Sequence, residues 1–440
     1  QSVKLYKALK DKNKEVILNA GKDKDDSKDK ILVTVDGNRN IGIFGQNSII
    51  VANGNIKVGL DETSSGSIGV YLTANDSRWT HSYTGTGNIE VGSNSYGIYA
   101  KNYNVTHNGN IKATGEGSIG IANIIEDKNN QAHDYTHTVT VNGGTIEASN
   151  GAIGVFGRDT NIVASGNLVV SGENTTGIVS LKEGNITYNG TTNISGKGTA
   201  GIYKNTVLDV ENSGETETRD GQNQDSKNTI TVGTGEWEVN NLATGIMAIS
   251  RTKNEDGTIK DIGNSITIEN ASNMTLGDGS IGIYSAGKNT VENTGDITVG
   301  GAVTEGDKTY ASIGIYMANG IGGTGERAKG TNSRTITVAN NGGAGVQVAG
   351  YVEFTNNGKI DVSDGGVGMH ASHGATVINA KEGNITVTGK GTGMIATGEG
   401  SQATNNGTIT LNKDDNIFVD GEYNTSLIGM GAYNGGTITN

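Results

Sequence analysis

Short apolar bursts, each alternating with polar residues, recur along this chain in groups of three. The tightest group, residues 96–118, reads YGIYAKNYNVTHNGNIKATGEGS. Its bursts are Gly97-Ile98-Tyr99-Ala100, Asn104-Val105-Thr106 and Asn110-Ile111-Lys112-Ala113. Each is too short for a helix and has the period of two that belongs to a strand. The Gly, Asn, Ser and Lys residues between them favour turns. Three short strands repeated in series predict one coil of a right-handed parallel β-helix, in which each strand pairs with its counterparts one coil above and below.

The glycine of the first strand can be followed through Gly42, Gly69, Gly97, Gly120, Gly154, Gly177, Gly201, Gly245, Gly282, Gly314, Gly345, Gly368, Gly393 and Gly429. The intervals start at 23 residues and reach 44. A fixed minimum with variable excess predicts about fourteen coils with loops inserted into them. The third strand follows the template Gly-x-Ile-x-Val at Gly54, Gly87, Gly295, Gly358 and Gly383. Ile and Val there point one way, and Asn, Lys, Glu, Asp and Thr the other. Trp237 takes the Ile slot of Gly235-Glu236-Trp237-Glu238-Val239, so it reads as core.

In the first strand, Ile-Gly-Ile-Tyr-Ala, the same alternation puts both Ile and the Ala inside, with Gly and the aromatic outside. The aromatic slot holds Phe44, Tyr71, Tyr99, Phe156, Tyr203, Tyr284 and Tyr316. It is broken by Ala122, Val179, Met247, Gln347 and His370, which argues against a continuous sugar-stacking platform. A ring two residues after a glycine is expected instead to cover bare backbone. Asn precedes the third strand at Asn53-Gly54, Asn108-Gly109, Asn357-Gly358, Asn406-Gly407 and Asn434-Gly435. Both residues tolerate the left-handed backbone of a corner. Stacked coils should line these amides up as a ladder, a reading preferred over an Asn-rich ligand surface.

Composition sharpens this outline. The chain has 440 residues, of which 33% are hydrophobic. That is below the usual ~45–50% but enough for the thin core of a solenoid. There are no prolines, as expected where most strands are central. There are no cysteines, which excludes disulfides, thiolate metal sites and cysteine nucleophiles. Their absence also suits passage across a bacterial envelope unfolded. The net charge of -13 disfavours nucleic acid or an anionic membrane as the main partner. Residues 1–40 read as an N-terminal coil or coils with a Lys-rich loop, which Asp23, Asp25, Asp26 and Asp29 interrupt. Residues 41–440 read as a continuous β-helix. No stretch is apolar enough to span a bilayer, and no signal peptide opens the chain. The sequence stops at Gly436-Thr437-Ile438-Thr439, inside what reads as a third strand, so a segment of a longer array is expected.

The repeated SIGIYA-like and NGxIxV segments, rich in Gly, Asn and Thr and lacking Cys and Pro, resemble the passenger domains of large type Va autotransporters. Among these, the likeness is to fusobacterial outer-membrane adhesins of the RadD type, from about Ile41 onward. The resemblance implies a monomeric passenger at the bacterial surface, exported through a C-terminal outer-membrane barrel that this segment lacks. It also implies binding to surface proteins or glycans of other bacteria or host cells, hence coaggregation and virulence. It supplies no binding motif that could be carried over residue by residue.

Candidate contacts come from the insertions. Five follow the first strand, at residues 75–86, 123–137, 206–228, 250–264 and 319–334. Two follow the third, at 301–311 and 412–425. A shared corner of stacked coils becomes a shared side, often the binding face. The candidate ligand-binding residues are Trp79, His81 and Tyr83, then His133, Tyr135 and His137, then Arg219, Arg251, Arg327 and Arg334. Aromatic and Arg side chains are the usual interface anchors.

Other chemistry is thin. His133 and His137 flank Asp134 without the helix that would align a metal pair, so no metal or other cofactor is expected. The Asp-rich runs lack EF-hand spacing. No Gly-x-Ser-x-Gly elbow or phosphate loop stands in a strand-to-helix setting. A β-helical polysaccharide-degrading enzyme is the alternative, but Glu90, Asp296 and Asp361 lie on distant coils and no carboxylate pair converges. An ice-binding Thr array is disfavoured because pairs such as Thr138/Thr140 and Thr386/Thr388 fall on different strand types. A purely structural stalk is the remaining reading. The chain is therefore expected to bind without catalysis.

Overall fold

The protein was analysed as a computed structural model that describes residues 15–19, 31–61, 64–75, 81–126, 137–207, 228–253, 259–262, 264–320, 327–339, 341–412, 418–419, 422–423 and 427–440. Strands and turns account for the described residues, with no helix. Packing divides the chain into an N-terminal unit (1–191, 198–204 and 223–227) and a C-terminal unit (192–197, 205–222 and 228–440).

Each unit is built from the same three parallel sheets. In the N-terminal unit one sheet stacks the Gly-Ile strands, Ile41–Gln46, Ile68–Thr73, Tyr96–Lys101, Ile119–Ile124, Ile153–Arg158 and Thr176–Leu181. A second stacks middle strands such as Ile49–Asn53, Ser82–Thr86 and Asn104–Asn108. The third stacks the Ile-x-Val strands, including Asn55–Val58, Ile89–Val91 and Ile111–Thr114. The C-terminal unit repeats the plan. Its Gly-Ile strands include Thr244–Ile249, Ile281–Ala286 and Ile313–Asn319, and its middle strands include Ala328–Asn332 and Val352–Asn356. The fold is a right-handed parallel β-helix with three strands per coil and about fourteen coils in all, as the sequence predicts. The N-terminal segment joins it: Glu15–Asn19 pairs with Ile49–Asn53, and Ile31–Val35 with Asn55–Val58.

Like residues stack on like residues. Ile111 pairs with Ile89 below and Ile146 above, all buried, while Lys112 between them stays exposed. Each such Ile contributes about 1.5–3 kcal/mol by leaving water. Trp237 is 1% exposed, confirming it as core.

Four details differ from the sequence reading. First, the recurrent glycine faces inward, and the Ile before it is half-buried at the surface. A Cβ on Gly69 would stand 2.5 Å from Ile56 Cγ2 and 2.6 Å from the carbonyl oxygen of Gly97 in the next coil. The register pairs Ile68 with Tyr96 and then Val70 with Ile98, stepping over the glycine. The following ring therefore covers no glycine backbone. Glycine recurs because two backbones and an Ile methyl leave no room for a side chain.

Second, the main Asn ladder lies one residue earlier than expected, on the last inward position of the middle strands. In the C-terminal unit Asn270, Asn293, Asn332, Asn356, Asn379 and Asn405 each donate Nδ2–H to Oδ1 of the next, ending on Asn440, at 2.6–2.9 Å. The other Nδ2 proton of Asn356 goes to the Gly358 carbonyl at 3.0 Å, and that of Asn293 to Gly295 at 2.7 Å. Both amide protons are thus used at a buried corner, as burial demands. Third, Thr437–Thr439 pairs with Gln402–Asn405, which makes it a middle strand. Fourth, two of the predicted insertions overrun their loops, because Ser82–Thr86 and Ala328–Asn332 are middle strands.

Candidate functional site

The insertions after the Gly-Ile strands all open on one corner of their unit, just before a middle strand begins. Trp79, His133, Tyr135 and Arg219 lie outside the described residues. The other candidates fall into three groups.

In the N-terminal unit the residues that precede the middle strands form a polar column: Ser48, His81, Tyr103, His137 and Thr160. The Tyr103 hydroxyl lies 3.0 Å from Ser48 N and accepts its proton. The His81 ring lies 5.8 Å from that of Tyr103. His137 is 2% exposed, and its carbonyl accepts from Thr160 Oγ1 at 2.7 Å and from Asn161 N at 2.9 Å. Burial lowers the His137 pKa, and the neighbouring His81 adds to the effect. The structure therefore brings His81 and His137 to one column, with His137 a structural residue. Tyr83 is a correction. It sits on the strand at 1% exposure with its side chain in the core, and burial raises its hydroxyl pKa. Its alternation with Gly85 matches that of Val105 with His107, which was the available signal.

In the C-terminal unit Arg251 and Arg327 come to the corner. Arg251 opens a hairpin, Arg251–Lys253 against Ile259–Ile262, and its Nη1 donates to Asn319 Oδ1 at 2.6 Å. Arg327 directly precedes the strand Ala328–Asn332. Its Nη1 donates to Thr376 Oγ1 at 2.7 Å, and its guanidinium lies 5.0 Å from the centre of the Tyr351 ring. Tyr351 and Asn319 are partners that the sequence reading missed, since Tyr351 stands in no long insertion and Asn319, the first residue of one, is the last residue of the strand Ile313–Asn319. Arg334 is a second correction. It follows Asn332 at the opposite end of the middle strand, 61% exposed and 3.9 Å from Asp296 Oδ1.

The aromatic slot does face outward. Phe44, Tyr71 and Tyr99 run along the coils with centroids 5.6 Å apart at each step, and Tyr284 stacks on Tyr316 at 5.2 Å. Each ring lies against its neighbour, which leaves a sugar little ring face to stack on. Burial raises the hydroxyl pKa of Tyr99, Tyr284 and Tyr316.

The acids considered for catalysis are tied to basic neighbours. Glu90 lies 3.5 Å from Lys57, Asp296 3.9 Å from Arg334, and Asp361 2.7 Å from Lys359. Among the described residues no three His, Asp or Glu side chains gather as metal ligands. A buried lysine also escaped the sequence reading. Lys204 occupies the inward slot that holds Ala100 in an earlier coil, and its Nζ donates to Ser180 Oγ at 3.2 Å and Lys182 O at 3.1 Å. Burial brings its pKa down to about 8, against the pull of Glu183 and Asp159.

A family model described as the BigA third pectate lyase-like domain matches residues 160–383 and 363–440, together more than half of the chain. No curated protein and no solved structure matches.

Proposed function

We propose that this chain, which belongs to the family of BigA third pectate lyase-like domains, is a β-helical segment of a bacterial surface adhesin that attaches to other bacteria or host cells by binding alone. The family relation supports an adhesin-like surface β-helix. The observation that carries the binding reading is the corner itself, where the insertions after the Gly-Ile strands leave and where Arg251 and Arg327 are held. Export through a C-terminal barrel, as in type Va autotransporters of the RadD type, belongs to the same proposal. So does a surface location, with proteins or glycans of partner cells as ligands.

The experiment replaces residues 127–136 and 208–227 singly with short Gly-Ser linkers and measures attachment of the purified chain to partner cells. Attachment should fall by about tenfold or more in at least one variant while the melting temperature holds. Attachment unchanged in both would remove the contact role of these loops and favour a stalk. The words "pectate lyase-like" favour polysaccharide cleavage as the second reading. The pairing of Glu90, Asp296 and Asp361 with cations speaks against it. Unsaturated products from a polygalacturonate digest would decide for the enzyme.

A further inference from the structure

We propose that the insertion-bearing corner of the C-terminal unit binds the carboxylate of an acidic sugar, with Arg251 and Arg327 as anchors. This rests on the adhesin reading above and names the ligand class for that corner. Both side chains are half-buried, and both are held by neutral groups: Asn319 Oδ1 for one, Thr376 Oγ1 and the Tyr351 ring for the other. Elsewhere the chain treats arginine differently, pairing Arg158 with Glu126 and Arg334 with Asp296. In a chain of net charge -13, two arginines at one corner whose contacts among the described residues are all neutral stand ready for an external carboxylate.

The geometry favours a built site. A guanidinium has five N–H donors in a planar fork that matches a carboxylate, and a hydrogen bond to a neutral oxygen leaves most of them for a ligand. The two arginines are fixed relative to each other by Asn319, whose Nδ2 donates to the Tyr351 carbonyl at 3.3 Å. The Asn319 carbonyl in turn accepts from Tyr351 N at 3.3 Å. Arg251 leaves a strand, and Arg327 stacks on a ring, so neither has to be ordered from free loop when ligand arrives. Glu353 is the acid on the adjoining strand Val352–Asn356. Among the described residues, the groups that touch the cations are an amide, a hydroxyl and an aromatic ring. That combination suits the hydroxyls and ring face of a sugar better than the apolar anchor of a protein partner.

The test titrates the whole chain with 3′-sialyllactose, its methyl ester and lactose, in the wild type and in the Arg251→Gln/Arg327→Gln variant. The acid should bind, with the ester and lactose weaker by about tenfold or more, the effect of losing a charge-assisted hydrogen bond. The variant should lose the same factor toward the acid alone. Failure of the acid to bind, equal binding of all three sugars, or a folded variant that binds the acid like the wild type would each overturn the proposal. If the variant does not fold, the wild-type contrast between acid and ester decides. Attachment to partner cells is measured beside it. Attachment that persists without any preference for the acid sinks this inference and leaves the adhesin reading standing. Acid binding without attachment to any cell does the reverse.

Discussion

A methyl group at Gly120 would stand 2.5 Å from the carbonyl oxygen of Gly154. Neither backbone can retreat, because each is hydrogen-bonded to coils on both sides. Gly120→Ala should therefore lower the unfolding free energy by about 1–3 kcal/mol in urea melts. Gly429→Ala, whose nearest atom would be 3.7 Å away, should stay within about 0.5 kcal/mol. Equal effects would refute the close-approach account. His107 gives a pH signature. It is 1% exposed in the core, and burial takes its pKa from 6.5 to about 4, with the peptide groups of Asn110 and Gly87 pulling weakly the other way. Between those values the unfolded chain holds a proton that the folded chain refuses. Stability is thus full above pH 6.5 and falls as pH drops toward 4, by at most ~1.4 kcal/mol per pH unit. His107→Val, with the residue found at Val141 in the next coil, should flatten that slope in melts taken between pH 4 and 7. The recurrence of glycine was legible in the sequence, but its direction was not. Strict alternation assumes an unbroken register, and here the register steps over the glycine.

At the scale of the strand, the Asn ladder makes the middle-to-third corner specific. Asn356 accepts from Asn332, donates to Asn379 and donates to the Gly358 carbonyl. Asn356→Ala would leave these partners buried and unpaired, so it should cost about 2–5 kcal/mol in urea melts. Asn357→Ala, one residue on and exposed, should cost no more than about 0.5 kcal/mol. If the two cost the same, the ladder is not what holds the corner. The asparagines were visible as a corner signal. Their offset was not, because the spacing shows that a turn occurs without showing which amide is the last to face inward. Tyr83 and Arg334 were misplaced for the same reason, since an insertion was counted until the glycine template resumed. The inward slots resume earlier, at Tyr83 and at Ala328.

For the molecule as a whole, the fold was readable because every coil poses the same packing problem and the chain answers it the same way each time. The candidate contact residues were less so, because each insertion occurs once and carries no repeat to check it against. Arg251 and Arg327 were found by residue type, whereas Asn319 and Tyr351 became partners only through stacking. Parallel pairing between coils also sets how a unit meets mechanical load. Its backbone hydrogen bonds point from coil to coil, so a pull in that direction opens them head-on, one turn at a time. A freed turn of 23 residues pays out roughly 75–80 Å of slack in place of the ~4.8 Å it spanned when wound. A unit wound this way yields by unspooling, giving up one turn before the load reaches the backbone of the next.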